Sequence, residues 1–307
     1  MTSPIIMFMN MKGGVGKTAL ATNFAYDLSW YYDKDALVID FDPQANASLA
    51  LLGPERYFDR LEKGQSLAAV LTPGVAPNDP FTVVQSPSHT AAALDDVVVN
   101  VRRWTMRGPE GGVIDAGKVD LVPGDLDLMR LALNPLSIDL EHRLTARWLN
   151  LLKQARLKYD CVIIDCHPAG SFFTKAAVLG SDVVIVPVTT DGYAEAGLNM
   201  MRQFIDTWSA AGGASEYFVV FNDAQGEWDQ AAENTIRLDK RHADRILSPR
   251  IPHSKLIRNV VRSRKFVREQ KVANRYAVSR VLNRLTRNLV SRLVDAGVLN
   301  STWEAQR

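Results

Sequence analysis

The feature that most constrains this chain is a glycine-rich loop enclosed between an apolar strand and a helix. Residues 5–9 (IIMFM) form a short apolar run that predicts a buried strand. The loop at 11–18 (MKGGVGKT) follows at once, and residues 17–32 then carry apolar residues at helical spacing. In this order, successive backbone N–H groups and the helix N-terminus point toward one spot and favour an anion there. We therefore predict a phosphate-binding site at this loop.

The alternation of strand and helix continues along the chain. Apolar, β-branched runs predict strands at 36–41, 159–165, 181–188 and 216–222, with another strand ending in the turn at 119–124 and a helix at 136–157. Runs without polar alternation are typical of strands covered on both faces. We expect an α/β fold with a doubly wound, mostly parallel sheet flanked by helices, in a single domain over residues 1–307.

Residues 53–118 interrupt this alternation. The breakers in this stretch are Pro54, Pro73, Pro77, Pro80, Pro87 and Pro109, followed by a cluster of Gly108, Gly111, Gly112 and Gly117. Because prolines and glycines punctuate regular structure, we expect an irregular excursion between strands here.

Composition excludes several classes of protein. With 47% hydrophobic and 23% charged residues, the chain reads as a soluble globular protein. Its two cysteines, Cys161 and Cys166, cannot form a disulfide framework or supply the four thiolates of a usual iron–sulfur cluster. We expect a cytoplasmic protein, since the first apolar run is too short for a signal peptide and no stretch approaches the ~20 apolar residues of a membrane span.

Charge is concentrated in the C-terminal part. Residues 250–292 contain thirteen lysines and arginines and one acid, Glu269, whereas the rest of the chain holds 23 basic and 33 acidic residues. A bare cationic surface suits sequence-independent contact with DNA phosphates, and a solvated basic face is the alternative. The predicted DNA contacts are Lys255, Arg258, Arg262, Arg264, Lys265, Arg268, Lys271 and Arg275. Arg264, Arg268, Lys271 and Arg275 are spaced by 4, 3 and 4 residues, so a helix would put them on one face.

Within the loop, each residue type has a physical role. The glycines permit a tight path without side chains in the way. Lys17 can reach the β and γ phosphates of a nucleotide, and the Thr18 hydroxyl can ligate Mg²⁺. The common P-loop pattern would begin with a glycine at position 11, but Met11 stands there and Lys12 follows it.

Four stretches together resemble the ParA/MinD family of P-loop ATPases. KGGVGKT (12–18) matches its deviant Walker A motif, and LVIDFDPQANAS (37–48) is similar to its second motif. YDCVIIDCHPAG (159–170) is similar to its Walker B strand, and IPHSKLIRNV (251–260) to its late I-P-R segment. The DPQ sequence points to the ParA branch. The resemblance covers 5–50 and 119–260 well and 53–118 poorly.

The resemblance implies ATP and Mg²⁺ as cofactors and assigns roles to residues. Lys12 would reach across an ATP-bound homodimer to the partner's phosphates, and Asp42 would position the attacking water. The implied catalytic residues are Lys12, Lys17 and Asp42, and the implied metal-site residues are Thr18, Asp40 and Asp165. The implied nucleotide-binding residues are Gly13, Gly14, Val15, Gly16, Lys17, Thr18, Ala19, Asn222, Asp223 and Pro252.

Some positions depart from the family motifs or leave alternatives open. His167 stands where the family usually has the first of two prolines, and Ala19 replaces a common threonine. We expect His167 to be a neutral substitution, with a catalytic histidine as the alternative. Asn222 and Asp223 either contact adenine or form a plain turn.

The resemblance favours a DNA partition ATPase. ATP would join two protomers, the dimer would bind double-stranded DNA non-specifically at the nucleoid, and a ParB-like partner would stimulate hydrolysis. Alternatives are ParA-like positioning of another cargo, a nitrogenase-type reductase, which the cysteine count disfavours, and a MinD-like protein at the membrane surface. An aliphatic stripe of Val278, Leu282, Leu285, Leu289 and Leu293 bears on the membrane alternative, and we expect it to pack on the sheet instead.

Overall fold

The computed structural model describes residues 3–73, 90–107, 113–168, 170–223, 226 and 228–306, and within them seven strands form one sheet. The strands are β1 (Ile5–Phe8), β2 (Asp35–Phe41), β3 (Val99–Arg107), β4 (Val113–Val122), β5 (Cys161–Cys166), β6 (Val183–Val188) and β7 (Glu216–Phe221). In space their order is β3-β4-β2-β5-β1-β6-β7. β3 pairs antiparallel with β4 at one edge, and the other neighbouring strands pair in parallel.

Helices cover both faces of this sheet. They are α1 (Lys17–Tyr31), α2 (Asn46–Glu62), α3 (Leu67–Leu71), α4 (Leu94–Val97), α5 (Met129–Leu133), α6 (Ile138–Lys158), α7 (Phe172–Gly180), α8 (Ala194–Ser209), α9 (Gln230–Leu238), α10 (Lys255–Arg258), α11 (Val260–Ser263) and α12 (Arg275–Asp295). α1 and α12 pack on one face, and α6, α7 and α8 pack on the other.

Alternate residues of the central strands enter opposite layers. Ile6 and Val38 belong to the core beneath α1 and α12, whereas Met7 and Ile39 belong to the core beneath α6 and α7. Since both faces are buried, the strands need apolar residues at every position, which is why their sequences show no polar alternation. The predicted doubly wound, mostly parallel α/β fold is confirmed.

The predicted irregular excursion over 53–118 is wrong where the structure describes that region. Residues 53–62 complete α2, which kinks at Gly53 (φ 75°) and continues from Pro54. Two short helices and the β3–β4 pair supply further regular structure. Pro54 did not end the helix because it lies in the first turn after the kink, where a missing N–H costs little. The stretches 74–89 and 108–112, which hold most of the prolines and glycines behind the prediction, lie outside the described residues.

Residues 264–275 do not form the one helix that would align their cations. Arg264 takes a left-handed conformation (φ 54°) at the end of α11, Val267–Glu269 form a 3₁₀ turn, and α12 begins only at Arg275. The cause is tertiary. Phe266 and Val267 are buried, and the Val267 N–H donates to Asn23 Oδ1 on α1 at 3.0 Å. The four cations therefore do not share one helical face.

A buried carboxyl joins α1 to α12. Asp27 is 3% exposed, and the Thr286 hydroxyl donates to its Oδ2 at 2.9 Å. Burial raises the pKa of Asp27 to about 8, although the Thr286 bond and the charges of Arg268 and Arg287 work in the opposite direction. In the folded protein this carboxyl therefore holds a proton at neutral pH.

This buried carboxyl predicts a pH dependence of stability. An unfolded Asp27 titrates near 3.8 and the folded one near 8, so between these pH values the folded state binds the extra proton. The free energy of unfolding should fall as pH rises through this window and level off above it. Asp27→Asn stays neutral and still accepts from Thr286, so it should remove the contribution of Asp27 to this decline. Chemical denaturation below and above the window measures the effect, and an equal decline in parent and variant would contradict it.

Candidate functional site

The glycine-rich loop leads from β1 into α1 at the carboxyl end of the sheet. Gly14 and Gly16 have φ values of 74° and 93°, which favour glycine. A Cβ on Gly16 would lie 2.3 Å from Nδ2 of Asn222, whose amide donates to the Val15 carbonyl at 2.7 Å. The long-range contact with Asn222 thus fixes the loop and excludes a side chain at Gly16, which leaves the backbone open to a ligand.

Lys17 folds back into the loop that it follows. The residue is 8% exposed, and its Nζ donates to the carbonyl oxygens of Asn10 and Lys12 at 3.1 Å each. Burial lowers the pKa of Lys17, while the nearby carboxyls of Asp165 and Asp42 favour its charged form. An ammonium held among backbone groups of this loop is suited to a polyphosphate, whose oxygens would replace the carbonyl contacts.

Asp165 lies beside Thr18 at the end of β5. The Thr18 hydroxyl donates to Asp165 Oδ2 at 2.6 Å, and Asp165 Oδ1 is buried without a hydrogen-bond partner among the described residues. Burial raises the pKa of Asp165 to about 7, with the Asp42 charge adding to the rise and the Thr18 bond opposing it. A buried carboxylate oxygen without a donor, next to a hydroxyl, fits a hydrated Mg²⁺ ion.

Asp40 lies beside Asp165 on the neighbouring strand but is bonded elsewhere. Its Oδ2 accepts from the Ser48 backbone N–H at 2.7 Å and from the Ser48 hydroxyl at 2.6 Å. Burial raises the pKa of Asp40 well above its usual range, and the Asp165 charge adds to this. Its carboxyl thus secures the first turn of α2, and its predicted place near the metal shell stays a prediction.

Asp42 follows the end of β2 and lies next to His167, which is distant from it in the sequence. His167 Nδ1 lies 3.0 Å from Asp42 Oδ1, and the Gln44 N–H donates to the same oxygen at 2.9 Å. The expectation that His167 is a neutral substitution took no account of this contact. A local sequence signal could not have found it, because the two residues are 125 positions apart.

A cavity of about 410 Å³ opens over the loop. Its walls come from the loop, from the segment after β2 and from the segments after β5 and β7. The lining residues predicted from the sequence are Gly13, Gly14, Gly16, Lys17, Thr18, Ala19, Asp42, Asn222, Asp223 and Pro252, with Arg258 from the predicted DNA contacts. The other lining residues are Gln44, Asn46, Pro168, Ser254 and Ile257. This volume lies within the range of small-molecule and cofactor sites.

Of the lining residues that were missed, Gln44 and Asn46 had a signal. Both stand in the stretch DPQANAS, directly after Asp42. Pro168 stands in the stretch YDCVIIDCHPAG, and Ser254 and Ile257 stand in IPHSKLIRNV, but it is the return of the chain after β7 that brings the last two to the cavity. Val15 was assigned to the site but is buried, and it contributes its carbonyl to Asn222 rather than a wall.

Lys12 leans away from the cavity toward the segment after β6. Its Nζ is ion-paired with Asp191 and donates to the Thr189 hydroxyl at 3.2 Å. The Lys12 side chain is 42% exposed, so solvent screens this ion pair. The predicted contact with a partner subunit involves a second chain and stays a prediction.

The predicted DNA contacts divide into two groups. Arg268 lies over the rings of Trp30 and Tyr31 and donates to the Tyr31 hydroxyl, and Arg275 lies over the ring of Tyr276. The exposed members are Lys255, Arg258, Arg262, Arg264, Lys265 and Lys271. We call these six residues the basic surface. Glu269, the acid in this segment, is paired with Arg102 on β3.

The aliphatic stripe of α12 is part of the core. Val278, Leu282, Leu285, Leu289 and Leu293 are all buried and pack in the layer that contains α1. The expectation that this stripe packs on the sheet is therefore confirmed. Among the helices of the described residues, none combines the length and the apolar character needed to cross a membrane.

Comparisons with known proteins identify relatives of this chain. A family profile described as an AAA domain matches residues 3–212. The sporulation initiation inhibitor protein Soj of Bacillus subtilis is 30% identical over 197 residues, which are 64% of this chain and 62% of Soj. The virulence plasmid ParA family protein pGP5-D of Chlamydia psittaci is 25% identical over 294 residues, which are 94% of this chain and 95% of that protein.

A solved structure supports the fold independently. A crystal structure of a Borrelia burgdorferi B31 protein bound to AMPPNP aligns with a TM-score of 0.66 at 19% identity, covering 95% of this chain and 100% of that chain. At this identity the likeness concerns the fold alone. The match to Soj spans less than two thirds of that protein.

A phosphate loop after the first strand of a doubly wound sheet, facing a carboxylate at the end of the neighbouring strand, defines the P-loop class of nucleotide-binding proteins. The profile match and the relatives narrow the class further. The chain belongs to the ParA/MinD family of P-loop ATPases.

The two loop lysines should behave differently when they are removed. Lys17→Ala should weaken ATP binding by about 10- to 100-fold, because it deletes a buried cation at the cavity. Lys12→Ala should bind ATP nearly as the parent does, since Lys12 Nζ contacts Asp191 and Thr189. If Lys12 acts in trans, as the family resemblance implies, this variant should nevertheless hydrolyse ATP slowly and fail to form the ATP-bound dimer. Calorimetric titration and size-exclusion chromatography measure these effects, and a Lys12→Ala protein that dimerises and turns over normally would refute the role in trans.

Proposed function

We propose that this protein is a Mg²⁺-dependent ATPase that converts ATP and water to ADP and phosphate. The observation that carries the proposal is the meeting of three groups at the loop: the Lys17 ammonium, the Thr18 hydroxyl and the Asp165 Oδ1, which has no hydrogen-bond partner in the part of the chain that the structure describes. Thr18 and Asp165 would hold Mg²⁺, which would neutralise phosphate charge. The backbone of the loop and Lys17 would bind the phosphates.

Asp42 is the group that would orient the attacking water. It lines the cavity, it is 8% exposed, and it stands at the end of a strand that neighbours Asp165. A largely buried carboxylate at the wall of the cavity can hold a water molecule in one orientation and accept its proton. Asp42 is not among the groups proposed to bind the phosphates. A change at Asp42 should therefore slow ATP hydrolysis without weakening ATP binding.

In the proposed cycle, ATP joins two protomers face to face. Lys12 would leave Asp191 and reach the phosphates of the partner subunit, where its charge would stabilise the transition state. Because Lys12 is exposed and solvent screens its ion pair with Asp191, breaking that pair costs little free energy. Each protomer would thus complete the site of the other.

The basic surface is the proposed contact with double-stranded DNA. Its six cations are exposed, and the acid within the same segment is already neutralised by Arg102. No pattern in the segment suggests base recognition, so the contact would be to phosphates and independent of sequence. Arg258 belongs to this surface and also lines the cavity, which brings the DNA contact and the nucleotide close together.

A ParB-like or adaptor partner would stimulate hydrolysis and release the protein from DNA. The cargo would be a DNA replicon, and the protein would then reside in the cytoplasm on the nucleoid. Positioning of another cargo would use the same cycle. Membrane attachment through α12 is disfavoured, because its aliphatic stripe is buried. Cosedimentation with duplex DNA and with anionic vesicles, each in ATP, separates these alternatives.

Removal of the Asp42 carboxylate should trap the ATP-bound state. Asp42→Ala should bind ATP and dimerise as the parent does but hydrolyse ATP about 10²- to 10⁴-fold more slowly, since the water loses its orienting group. Single-turnover hydrolysis and analytical ultracentrifugation in MgATP measure the two effects. Normal turnover in this variant, or a loss of ATP binding, would assign the role to another residue.

DNA binding should depend on salt and on the basic surface. Arg262→Ala with Lys265→Ala should weaken binding to duplex DNA in ATP at least tenfold, and should flatten the slope of log K against log salt by about two units, since each phosphate contact contributes about 0.9. Arg264 is kept in this design because its side chain packs against Gly53. Fluorescence anisotropy at several salt concentrations measures both quantities.

A matched control removes two cations elsewhere. Lys153 and Lys240 are exposed and lie outside the basic segment, so Lys153→Ala with Lys240→Ala makes the same change in net charge. This variant should bind DNA like the parent. Equal weakening in both double variants would mean a general charge effect. Equal binding of DNA by the parent in ATP, in ADP and without nucleotide would refute the proposed nucleotide control.

A further inference from the structure

Position 167 is one of the places where this chain departs from its family motif, and the structure gives the histidine there a specific partner. His167 follows β5, and its Nδ1 lies 3.0 Å from Asp42 Oδ1. The side chains of the pair are only 12% and 10% exposed. At this distance and with so little access to water, the contact is a hydrogen bond that water would replace poorly.

This bond restricts how the Asp42 carboxyl can turn. The Gln44 N–H donates to the same Oδ1 at 2.9 Å. Among the described residues, both hydrogen bonds to this carboxyl end on Oδ1, which leaves Oδ2 as an acceptor. Because Asp42 lines the cavity, two donors on one oxygen would hold the other oxygen in a defined place at the cavity wall.

The histidine is itself held in place. An ionised carboxylate only accepts hydrogen bonds, so the His167 ring carries its hydrogen on Nδ1 when the bond forms. Phe173 on α7 packs beside the imidazole, with ring centroids 6.4 Å apart and an interplanar angle of 67°. A ring fixed by an aromatic neighbour loses little further freedom when it donates to Asp42.

We infer that His167 is a positioning residue that acts through Asp42, holding the carboxylate so that Oδ2 meets the attacking water. The inference rests on the proposed ATPase activity and on the role of Asp42 in it. Proline, the residue of the family motif at this position, has no side-chain donor to offer. Orientation matters because a displacement of about 1 Å at a reacting group can cost about 100-fold in rate.

The first test compares two substitutions of similar size. His167→Leu fills the space but cannot donate, whereas His167→Asn places an amide donor near the position of Nδ1. In MgATP, His167→Leu should lower kcat by about 10- to 100-fold and leave KM and directly titrated ATP affinity within about twofold, since His167 does not line the cavity. His167→Asn should recover most of kcat.

The controls address folding and surface effects. His142 is exposed on α6, so His142→Leu makes the same substitution away from the site and should match the parent. Thermal unfolding shows whether each variant is folded at the assay temperature. A folded His167→Leu protein with parental kcat would overturn the inference, as would a His167→Asn protein no more active than His167→Leu.

A double-mutant cycle separates positioning from direct catalysis. If His167 acts only through Asp42, then His167→Leu should have no further effect on single-turnover hydrolysis in an Asp42→Ala background. A full additional loss in that background would mean that the imidazole acts on the water itself, and the inference would be wrong.

A spectroscopic readout requires no turnover. In ¹⁵N-labelled protein, the imidazole nitrogens of His167 should show a hydrogen on Nδ1 at neutral pH, and Asp42→Ala should change this signature while His142 stays unchanged. A His167 signal indifferent to Asp42→Ala would overturn the contact. A parent that neither binds nor hydrolyses ATP would refute the proposed function and the inference together, whereas an active parent with an unaffected His167→Leu refutes the inference alone.

Discussion

The site depends on the parallel pairing of three adjacent strands. β5 lies between β1 and β2, with Phe8 and Asp40 both in register with Asp165. The carboxyl ends of parallel strands share one edge, so this register places the loop after β1 beside the acids of the other two strands. A slip of one residue would turn Asp165 to the opposite face of the sheet and separate it from Thr18. The packed apolar layers on both faces hold the register.

The same pairing creates an electrostatic cost. Asp40, Asp42 and Asp165 are all largely buried within one end of the sheet. Each is met by its own donors: Asp40 by Ser48, Asp42 by Gln44 and His167, and Asp165 by Thr18. Asp165 Oδ1 is the atom of this cluster that stays buried without a hydrogen bond among the described residues. A buried carboxylate oxygen without a donor is tolerable where a cation ligates it.

The parts of the fold that the sequence could predict are those in which a signal lies within one segment. The buried strands, the phosphate loop and α1 belong to this group, as does the burial of the α12 stripe. The prediction of irregular structure failed at Pro54, because this proline lies in the first turn of the helical segment after the kink at Gly53, where proline is tolerated. At 264–275 the helical spacing of the charges does not lead to a helix, because the burial of Phe266 and Val267 sets a different path for the chain. The contacts of Asn222 with Val15 and of His167 with Asp42 join distant segments, and no local pattern contains them.

Helix α1 connects the proposed nucleotide site to the segment that carries the basic surface. α1 begins at Lys17 in the phosphate loop, and farther along it Asn23 accepts from the Val267 N–H while Tyr31 accepts from Arg268. The chain that carries the basic surface is therefore tied to the same helix that starts at the nucleotide. A surface anchored in this way has little freedom to rearrange within one protomer. Nucleotide control of DNA binding would then arise chiefly from bringing two basic surfaces together, because a second linked contact raises avidity without any new interaction in either copy.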